Sequence, residues 1–317
     1  MERHQSWSGF PHVLSASQFS ADEITRIFER ADSYRLDHHV GRHLDTLRGR
    51  IVGCAFFENS TRTFTSFDAA ALRLGAQVVE LPGMVQYSSV AKGETLEDTV
   101  RTLECYMDAI VMRHPETGAA KRAAAVMHKP LINAGDGTGE HPTQALLDLY
   151  TIRHRFPNEK AIKIVMLGDM KNGRTIHSLS RLLCTSMPGS EVHFVSPASL
   201  GIPSKLFLKL SENGLRCTDH PNEDFVPLLR DAHVLYVTRV QAERMKSEKE
   251  IRAARAMYCV TPKSLKKASP HLAVMHPFPR VTELSPDVDR DPRAAYFEQI
   301  QNGLYVRMAL LSLALSR

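Results

Sequence analysis

Four consecutive polar residues, Ser60-Thr61-Arg62-Thr63, have the composition of an anion-binding site. They follow an apolar run at 51–57 that suits a buried strand, and the apolar residues after them recur at helical spacing. Amide N–H groups at a helix N-terminus are unpaired and carry partial positive charge, so a phosphate there gains several hydrogen bonds. The three hydroxyl groups and the guanidinium add donors. By themselves the four residues fit an ordinary N-cap with a surface arginine equally well.

Further short motifs follow in a fixed order, each weak when taken alone. They are Lys92-Gly93-Glu94-Thr95-Leu96, Val111-Met112-Arg113-His114-Pro115, His141-Pro142-Thr143-Gln144, Gly168-Asp169, Gly173-Arg174-Thr175, Thr238-Arg239-Val240-Gln241 and His276-Pro277-Phe278-Pro279-Arg280. Together with residues 60–63 they cover nearly the whole chain, and in this order the chain resembles the aspartate transcarbamoylase (aspartate carbamoyltransferase) family. The C-terminal stretches 291–297 and 302–310 are most similar to the version fused into the animal multifunctional pyrimidine-synthesis protein.

The resemblance implies an enzyme, a carbamoyltransferase of pyrimidine biosynthesis. It would transfer the carbamoyl group of carbamoyl phosphate to the amine of L-aspartate, giving N-carbamoyl-L-aspartate and phosphate. The resemblance implies no metal and no cofactor. The departing phosphate can accept the amine proton, so the protein mainly positions the substrates and neutralises charge.

The resemblance also assigns the residues that bind carbamoyl phosphate. They are Ser60, Thr61, Arg62, Thr63, Arg113, His141, Gln144, Pro277 and Phe278, with Ser88 and Lys92 from a neighbouring subunit. Among them, Arg62, Thr63, Arg113 and His141 are the expected catalytic residues. A lone histidine is more often structural than functional, but the place of His141 in its motif favours a role at the carbonyl oxygen. By family analogy the Phe278–Pro279 bond is expected to be cis.

Aspartate carries two carboxylates, which planar guanidinium groups bind well. The resemblance assigns the aspartate site to Lys92, Arg174, Arg239 and Gln241. It further suggests that Glu58 pairs with Arg174 and Arg244, and that Glu243 pairs with Arg239.

The polar loop at 86–92 looks too exposed to reach a site in its own chain. In the family this loop reaches the neighbouring subunit, so the resemblance implies a homotrimer with shared active sites. The residues alone fit a mobile surface loop with a solvated lysine.

One position departs from the family pattern. Bacterial members commonly have a second arginine after Ser-Thr-Arg-Thr, and this chain has Phe64. Because Phe64 lies one residue past the four polar residues, we expect it to turn into the first helix and alter packing rather than phosphate binding.

Strand-like and helix-like segments alternate along the chain, which predicts an α/β fold with parallel sheets. The strands are expected near 51–57, 78–81, 109–112, 130–133, 162–167, 191–195, 233–237 and 273–275. We predict two doubly wound parallel-sheet domains with the active site in the cleft between them. Residues 1–141 would bind carbamoyl phosphate and residues 142–292 aspartate, while a C-terminal helix at 293–317 would pack back on the first domain.

Composition narrows the class of protein. The chain has 317 residues, 43% of them hydrophobic, and no apolar run of the roughly 20 residues that a bilayer span requires. With no signal-like segment at its start, a cytoplasmic protein without a membrane partner is expected. The net charge of +5 is dispersed, which argues against nucleic acid. Five cysteines without a C-x-x-C pair indicate reduced thiols.

Two other functions remain open. Ornithine transcarbamoylase shares the phosphate-binding half, but that sibling typically has a cysteine at the position of Pro277, and Arg174 and Arg239 would repel a cationic substrate. The second is a catalytically silent homologue that serves oligomerisation within a larger assembly. Neither a dinucleotide site at 135–139 nor a metal site at His39 and His43 has the flanking residues that it needs.

Overall fold

A computed structural model describes residues 12–239 and 258–315, in which helices and strands alternate along the chain. The chain folds into two compact units. The first contains the residues up to Leu147 together with those from Asn302 onward, and the second extends from Asp148 to Gln301.

The first unit is built on a five-stranded parallel sheet with the strand order β1-β5-β4-β2-β3. Its strands are β1 (His12–Val13), β2 (Ile51–Phe56), β3 (Gln77–Pro82), β4 (Ala109–His114) and β5 (Leu131–Asp136). The helices that begin in this unit are α1 (Ala21–His39), α2 (Thr61–Arg73), α3 (Met84–Tyr87), α4 (Leu96–Tyr106), α5 (Ala119–Ala124) and α6 (Pro142–Arg155).

Strand β2, an inner strand of this sheet between β4 and β3, is apolar because it is covered on both faces. Cys54, Ala55 and Phe56 are each at most 1% exposed. In the register of the sheet Phe56 lies opposite Pro82 on β3 and Arg113 on β4, so the strands end at one common edge. Segments that follow these strands therefore start close to one another.

The second unit repeats this plan with the order β10-β9-β6-β7-β8, again entirely parallel. Its strands are β6 (Lys163–Leu167), β7 (Glu191–Ser196), β8 (Arg216–Pro221), β9 (Val234–Val237) and β10 (Ala273–Met275). Its described helices include α7 (Arg174–Ser186) and α8 (Ser204–Glu212), and the last helix, α9 (Tyr296–Leu315), begins here. Val165, Leu235 and Val274, from the neighbouring strands β6, β9 and β10, belong to one buried cluster.

The last helix also contributes residues to the first unit. Arg307 is buried, and its guanidinium carbon lies 5.1 Å from the ring centroid of Phe67 on α2. Such a cation–π contact is favourable when it is shielded from water. The domain boundaries predicted at 141 and 292 stay predictions.

The predicted fold class, two α/β units with parallel sheets, is confirmed, and so are all eight predicted strands. The sequence reading missed β1 and β8. Among the residues that the structure describes, no helix has the length and apolarity needed to cross a membrane. All five cysteines have free thiols, and Cys54 is buried.

Candidate functional site

The four polar residues lie where strand β2 gives way to helix α2. Ser60 is the N-cap residue with extended backbone angles (φ −157°, ψ 93°), yet its side chain makes no capping hydrogen bond. The first helical bond runs from the Phe64 N–H to the Ser60 carbonyl at 3.0 Å. The amides of the first turn have no partner within the helix. Thr63 is buried and Arg62 is exposed, so the turn offers N–H groups, hydroxyls and a cation together.

Arg113 lies near the end of β4, beside the end of β2. It is only 9% exposed, and its Nη1 donates to the Ala134 carbonyl at 3.3 Å. Its Nη2 lies 3.0 Å from Oε2 of Glu58, and the Phe57 N–H donates to its carbonyl at 2.8 Å. The carboxylate compensates a guanidinium that has lost most of its water. The two strand ends thus place one nearly buried cation at the carboxyl edge of the sheet.

The motif 141–144 starts helix α6. His141 is 4% exposed and Gln144 9%, and the Gln144 N–H donates to the His141 carbonyl at 3.1 Å. The preceding loop is held by Asp136, whose carboxylate accepts the N–H groups of Gly118 at 2.7 Å and Glu140 at 2.8 Å. Sequence reading missed Asp136. Its only signal was its position inside a glycine-rich segment that was set aside as a weak nucleotide motif.

The segment that contains Ser88 and Lys92 folds into helix α3 and a 3-10 helix, Ser89–Lys92. The Ser88 hydroxyl donates to the Met84 carbonyl and accepts the Val90 N–H at 3.2 Å. Lys92 is exposed, in agreement with the predicted exposure of this loop. The role of both residues in a neighbouring subunit stays a prediction.

Phe64 follows the four polar residues in the first turn of α2. Its ring packs edge-on against Phe56, the last residue of β2, with ring centroids 5.0 Å apart and planes at 80°. As expected, the side chain at this position serves packing between the strand and the helix.

In the second unit two predicted arginines follow adjacent strands. Arg174 is the first residue of α7, which comes after β6, and Arg239 comes two residues after β9. Strands β6 and β9 pair directly, and the Thr238 N–H donates to the Leu167 carbonyl at 2.8 Å. Both arginines are half-buried, so this edge of the sheet presents two guanidiniums. Gln241, Glu243 and Arg244 lie outside the described residues, and the pairing of Glu58 with Arg174 stays a prediction.

The loop after β10 carries the last motif. Pro277 and Phe278 are both half-buried, and the Phe278–Pro279 bond is cis, as the resemblance implied. The first residue of the motif, His276, is 1% exposed and hydrogen-bonded within the unit. Sequence reading assigned no role to His276, since its partners lie up to 23 residues away in the chain.

Two titratable side chains in or beside the predicted phosphate-binding motifs, His114 and Arg62, have lowered pKa values. Burial lowers the pKa of His114, which follows Arg113 directly, so the ring is neutral at pH 7. Neighbouring protein atoms remove part of the hydration of the exposed Arg62 guanidinium and lower its pKa, although an arginine remains protonated. Among residues 12–239 and 258–315, no group of three or more His, Cys, Asp or Glu residues is placed to hold a metal ion.

Two family models match the chain in succession. One describes the aspartate/ornithine carbamoyltransferase carbamoyl-P binding domain and matches residues 11–154. The other describes the Asp/Orn binding domain of the same proteins and matches residues 160–314.

Similar proteins of two sizes are known. The chain is 45% identical over 306 residues to the aspartate carbamoyltransferase catalytic subunit of Haloquadratum walsbyi, covering 96% of this chain and 98% of that protein. It is 45% identical over 309 residues to the multifunctional protein CAD of Squalus acanthias, of which it spans only 13%. The chain likewise spans 13% of the multifunctional protein pyr1-3 of Dictyostelium discoideum, at 46% identity.

Solved structures of two aspartate transcarbamoylases are similar to this chain. Aspartate transcarbamoylase from Trypanosoma cruzi, in complex with N-(phosphonacetyl)-L-aspartic acid, superimposes with a TM-score of 0.89 at 41% identity, covering 95% of this chain and 94% of that one. The catalytic subunit of M. jannaschii aspartate transcarbamoylase gives a TM-score of 0.90 at 39% identity, covering 97% and 98%.

Proposed function

Because this chain belongs to the aspartate/ornithine carbamoyltransferase family, we propose that it transfers the carbamoyl group of carbamoyl phosphate to L-aspartate. The products are N-carbamoyl-L-aspartate and phosphate, in de novo pyrimidine biosynthesis. The observation that favours aspartate over ornithine is the pair of half-buried guanidiniums, Arg174 and Arg239, after two adjacent strands. They attract a dicarboxylate and repel the cationic side chain of ornithine.

The first unit supplies the phosphate end of this proposal. The uncapped N-terminus of α2, with Ser60, Thr61, Arg62 and Thr63, binds the phosphate. Arg113 extends from the neighbouring strand to the phosphate and the carbonyl oxygen, while His141 and Thr63 stabilise the oxygen as it gains negative charge. A nearly buried arginine is well suited to this task, because charge interactions strengthen where water is excluded.

The carbamoyl nitrogen is bound by acceptors. Gln144 and the backbone carbonyls of Pro277 and Phe278 take its two N–H groups, which orients the carbon toward the amine. Attack by the amine forms the C–N bond and expels phosphate, whose oxygen takes the amine proton. The protein accelerates this step by holding the two reactants in line.

The finer assignments are also part of the proposal. Residues 1–141 form the carbamoyl-phosphate domain and 142–292 the aspartate domain, with Gln241 and Lys92 completing the aspartate site. The active protein is a cytoplasmic homotrimer in which Ser88 and Lys92 serve the neighbouring subunit. The similarity to multifunctional proteins supports a second context, as one domain of a longer polypeptide.

Product analysis tests the proposal. The purified protein is incubated with carbamoyl phosphate and, in separate reactions, L-aspartate or L-ornithine. Carbamoyl-aspartate alone is the expected product. Citrulline would mean that the second unit is an ornithine site, and a folded protein that makes neither product would support a catalytically silent homologue.

A further inference from the structure

His276 is fixed in the second unit by three hydrogen bonds. Its Nδ1 lies 2.8 Å from the Phe278 nitrogen, and its Nε2 lies 2.9 Å from Oε1 of Glu283. Its own backbone N–H donates to Oε1 of Gln299 at 2.9 Å. The imidazole thus connects the start of the loop after β10 to its far end, and the backbone is anchored to helix α9.

The partners determine the protonation of the ring. A backbone N–H can only donate, so Nδ1 must be the acceptor and carries no proton. Nε2 then carries the hydrogen and donates it to Glu283, which leaves the imidazole neutral. The two nitrogens therefore have separate duties, one toward the Phe278 backbone and one toward the carboxylate.

Glu283 is equally constrained. It is 4% exposed, and besides His276 its carboxylate accepts the N–H groups of Val281 at 3.2 Å and Thr282 at 3.1 Å. Burial opposes its ionisation, but the hydrogen bonds from His276 and the backbone hold the pKa of Glu283 below its ordinary value. The result is a buried anion that fixes the histidine and the end of the loop together.

Phe278 needs such support, because its φ of 56° is in the left-handed region that residues other than glycine seldom adopt. The surroundings of its ring limit its movement. The centroid lies 5.3 Å from that of His276 and 5.7 Å from those of Tyr296 and Phe297. The hydrogen bond to the Phe278 nitrogen and the contacts of its ring together restrict the backbone on both sides of Phe278 to one conformation.

We propose that His276 is a positioning residue, which with Glu283 directs the carbonyl groups of Pro277 and Phe278 toward the carbamoyl amino group. This inference rests on the proposed function. It adds a separate role for each ring nitrogen. Nδ1, which accepts from the Phe278 N–H, sets the orientation of the backbone carbonyls, and Nε2, which donates to Glu283, fixes the orientation of the ring.

Two substitutions separate the nitrogens. In His276→Asn the side-chain oxygen stands near the position of Nδ1 and still accepts from Phe278. In His276→Gln the amide reaches the position of Nε2 and still donates to Glu283, but the Phe278 N–H loses its acceptor. Ser190→Ala is the control. Ser190 lies directly before β7 in the same unit and is 1% exposed, and its hydroxyl accepts the Ile162 N–H at 3.0 Å and donates to the Met187 carbonyl at 2.7 Å.

The readout is kcat/KM for carbamoyl phosphate, compared with the inhibition constant of inorganic phosphate. Loss of a buried hydrogen bond that aligns the substrate should lower kcat/KM of His276→Gln about tenfold or more. His276→Asn should stay within about threefold of wild type. Inhibition by phosphate should be unchanged in both variants, because the proposed phosphate ligands lie in the first unit. Ser190→Ala should lose stability without any change in kcat/KM.

Three results would overturn the inference: a His276→Gln enzyme with wild-type kcat/KM, equal losses in the Asn and Gln variants, or parallel changes in phosphate inhibition. If His276→Gln does not fold, His276→Leu provides the second test, since leucine has nearly the shape of asparagine without the oxygen that accepts from Phe278, and it should lower kcat/KM relative to His276→Asn in the same selective way. A wild-type protein that makes no carbamoyl-aspartate would instead refute the proposed function.

Discussion

At the scale of single residues, Arg113 shows how a buried cation is stabilised beside the candidate phosphate-binding residues. Its guanidinium is almost fully buried, and Glu58 lies 3.0 Å away. A buried charge without a partner would cost several kcal/mol, so the carboxylate stabilises the arginine. A substrate phosphate has more charge than one carboxylate and can use the same Nη groups.

Replacing this arginine tests its role. We expect Arg113→Ala to lower kcat about a hundredfold or more, the scale seen when one oxyanion donor is removed. Steady-state assays with carbamoyl phosphate and aspartate measure it. Arg122→Ala is the matched control, because Arg122 is a surface residue of the same unit that pairs with Glu97 and Glu116. Near-normal turnover of the Arg113 variant would exclude Arg113 from catalysis.

Asp68 is a second buried charge, on the inner face of α2. It is 8% exposed and its Oδ1 has no hydrogen-bond partner among residues 12–239 and 258–315. Burial raises the pKa of Asp68, a hydrogen bond from Cys54 partly opposes this, and the charge of Glu80 adds to it. Ionised Asp68 therefore destabilises the folded state.

Asp68→Asn should raise the free energy of unfolding at pH 7 by about 1 kcal/mol, because the neutral amide removes a desolvated charge from the folded state. A group whose folded pKa is raised loses stability as pH rises from its unfolded value, 3.8, through the folded value. The gain should therefore disappear below about pH 4, where the carboxyl group is protonated in both states. Denaturant titrations at several pH values measure it, with the exposed Asp45→Asn as control. A gain that does not depend on pH would contradict the explanation.

At the scale of elements, the predictable strands were the apolar ones. Buried strands such as β2 and β9 can be recognised in the sequence as uninterrupted hydrophobic runs. Strand β8 has the polar sequence Arg-Cys-Thr-Asp-His-Pro because it lies at the edge of its sheet, and β1 has only two residues. Neither has a periodicity that a sequence can reveal.

The site shows the same division between local and distant signals. The places of Arg113, Arg174 and Arg239 could be anticipated because each belongs to a short motif at or beyond the end of an apolar strand, while their roles stay predictions. The supports Asp136 and Glu283 were not, since their roles depend on hydrogen bonds that only the folded loops create.

Gly168 directly follows the last residue of β6, at a position where only glycine fits without strain. Its φ is +130°, and a Cβ atom there would lie 2.4 Å from the Thr238 carbonyl oxygen. Gly168→Ala should therefore destabilise the protein by about 3 kcal/mol or more, since strain and overpacking add. Thermal unfolding measures the loss. Gly189 also has a positive φ, +82°, but open space around it, so Gly189→Ala should cost only about 1 kcal/mol. Equal losses would show that the contact with Thr238 is unimportant.

At the scale of the whole molecule, the proposed trimer makes each site depend on two chains. Lys92→Ala and Arg62→Ala should each be inactive, yet a hybrid trimer contains one site with both residues intact. In random mixtures about three quarters of the trimers are hybrids with one intact site in three, so about a quarter of wild-type activity should return.

The control for this experiment is a mixture of Arg62→Ala with Arg113→Ala. Each site takes both of these arginines from the same chain. No site in a hybrid trimer therefore has both intact, and no activity should return. Subunits that exchange, as native mass spectrometry can show, but give no activity from the Lys92 and Arg62 mixture would refute the shared site.

The uncapped start of α2 also has a consequence for folding. The Ser60 side chain caps no amide of the first turn, and under the proposed function the bound phosphate would take the place of this missing cap. The ligand would then be part of the secondary structure rather than a guest on it. Deuterium exchange at the amides of Thr61, Arg62 and Thr63 should slow when phosphate is added, while the later turns of α2 exchange as before.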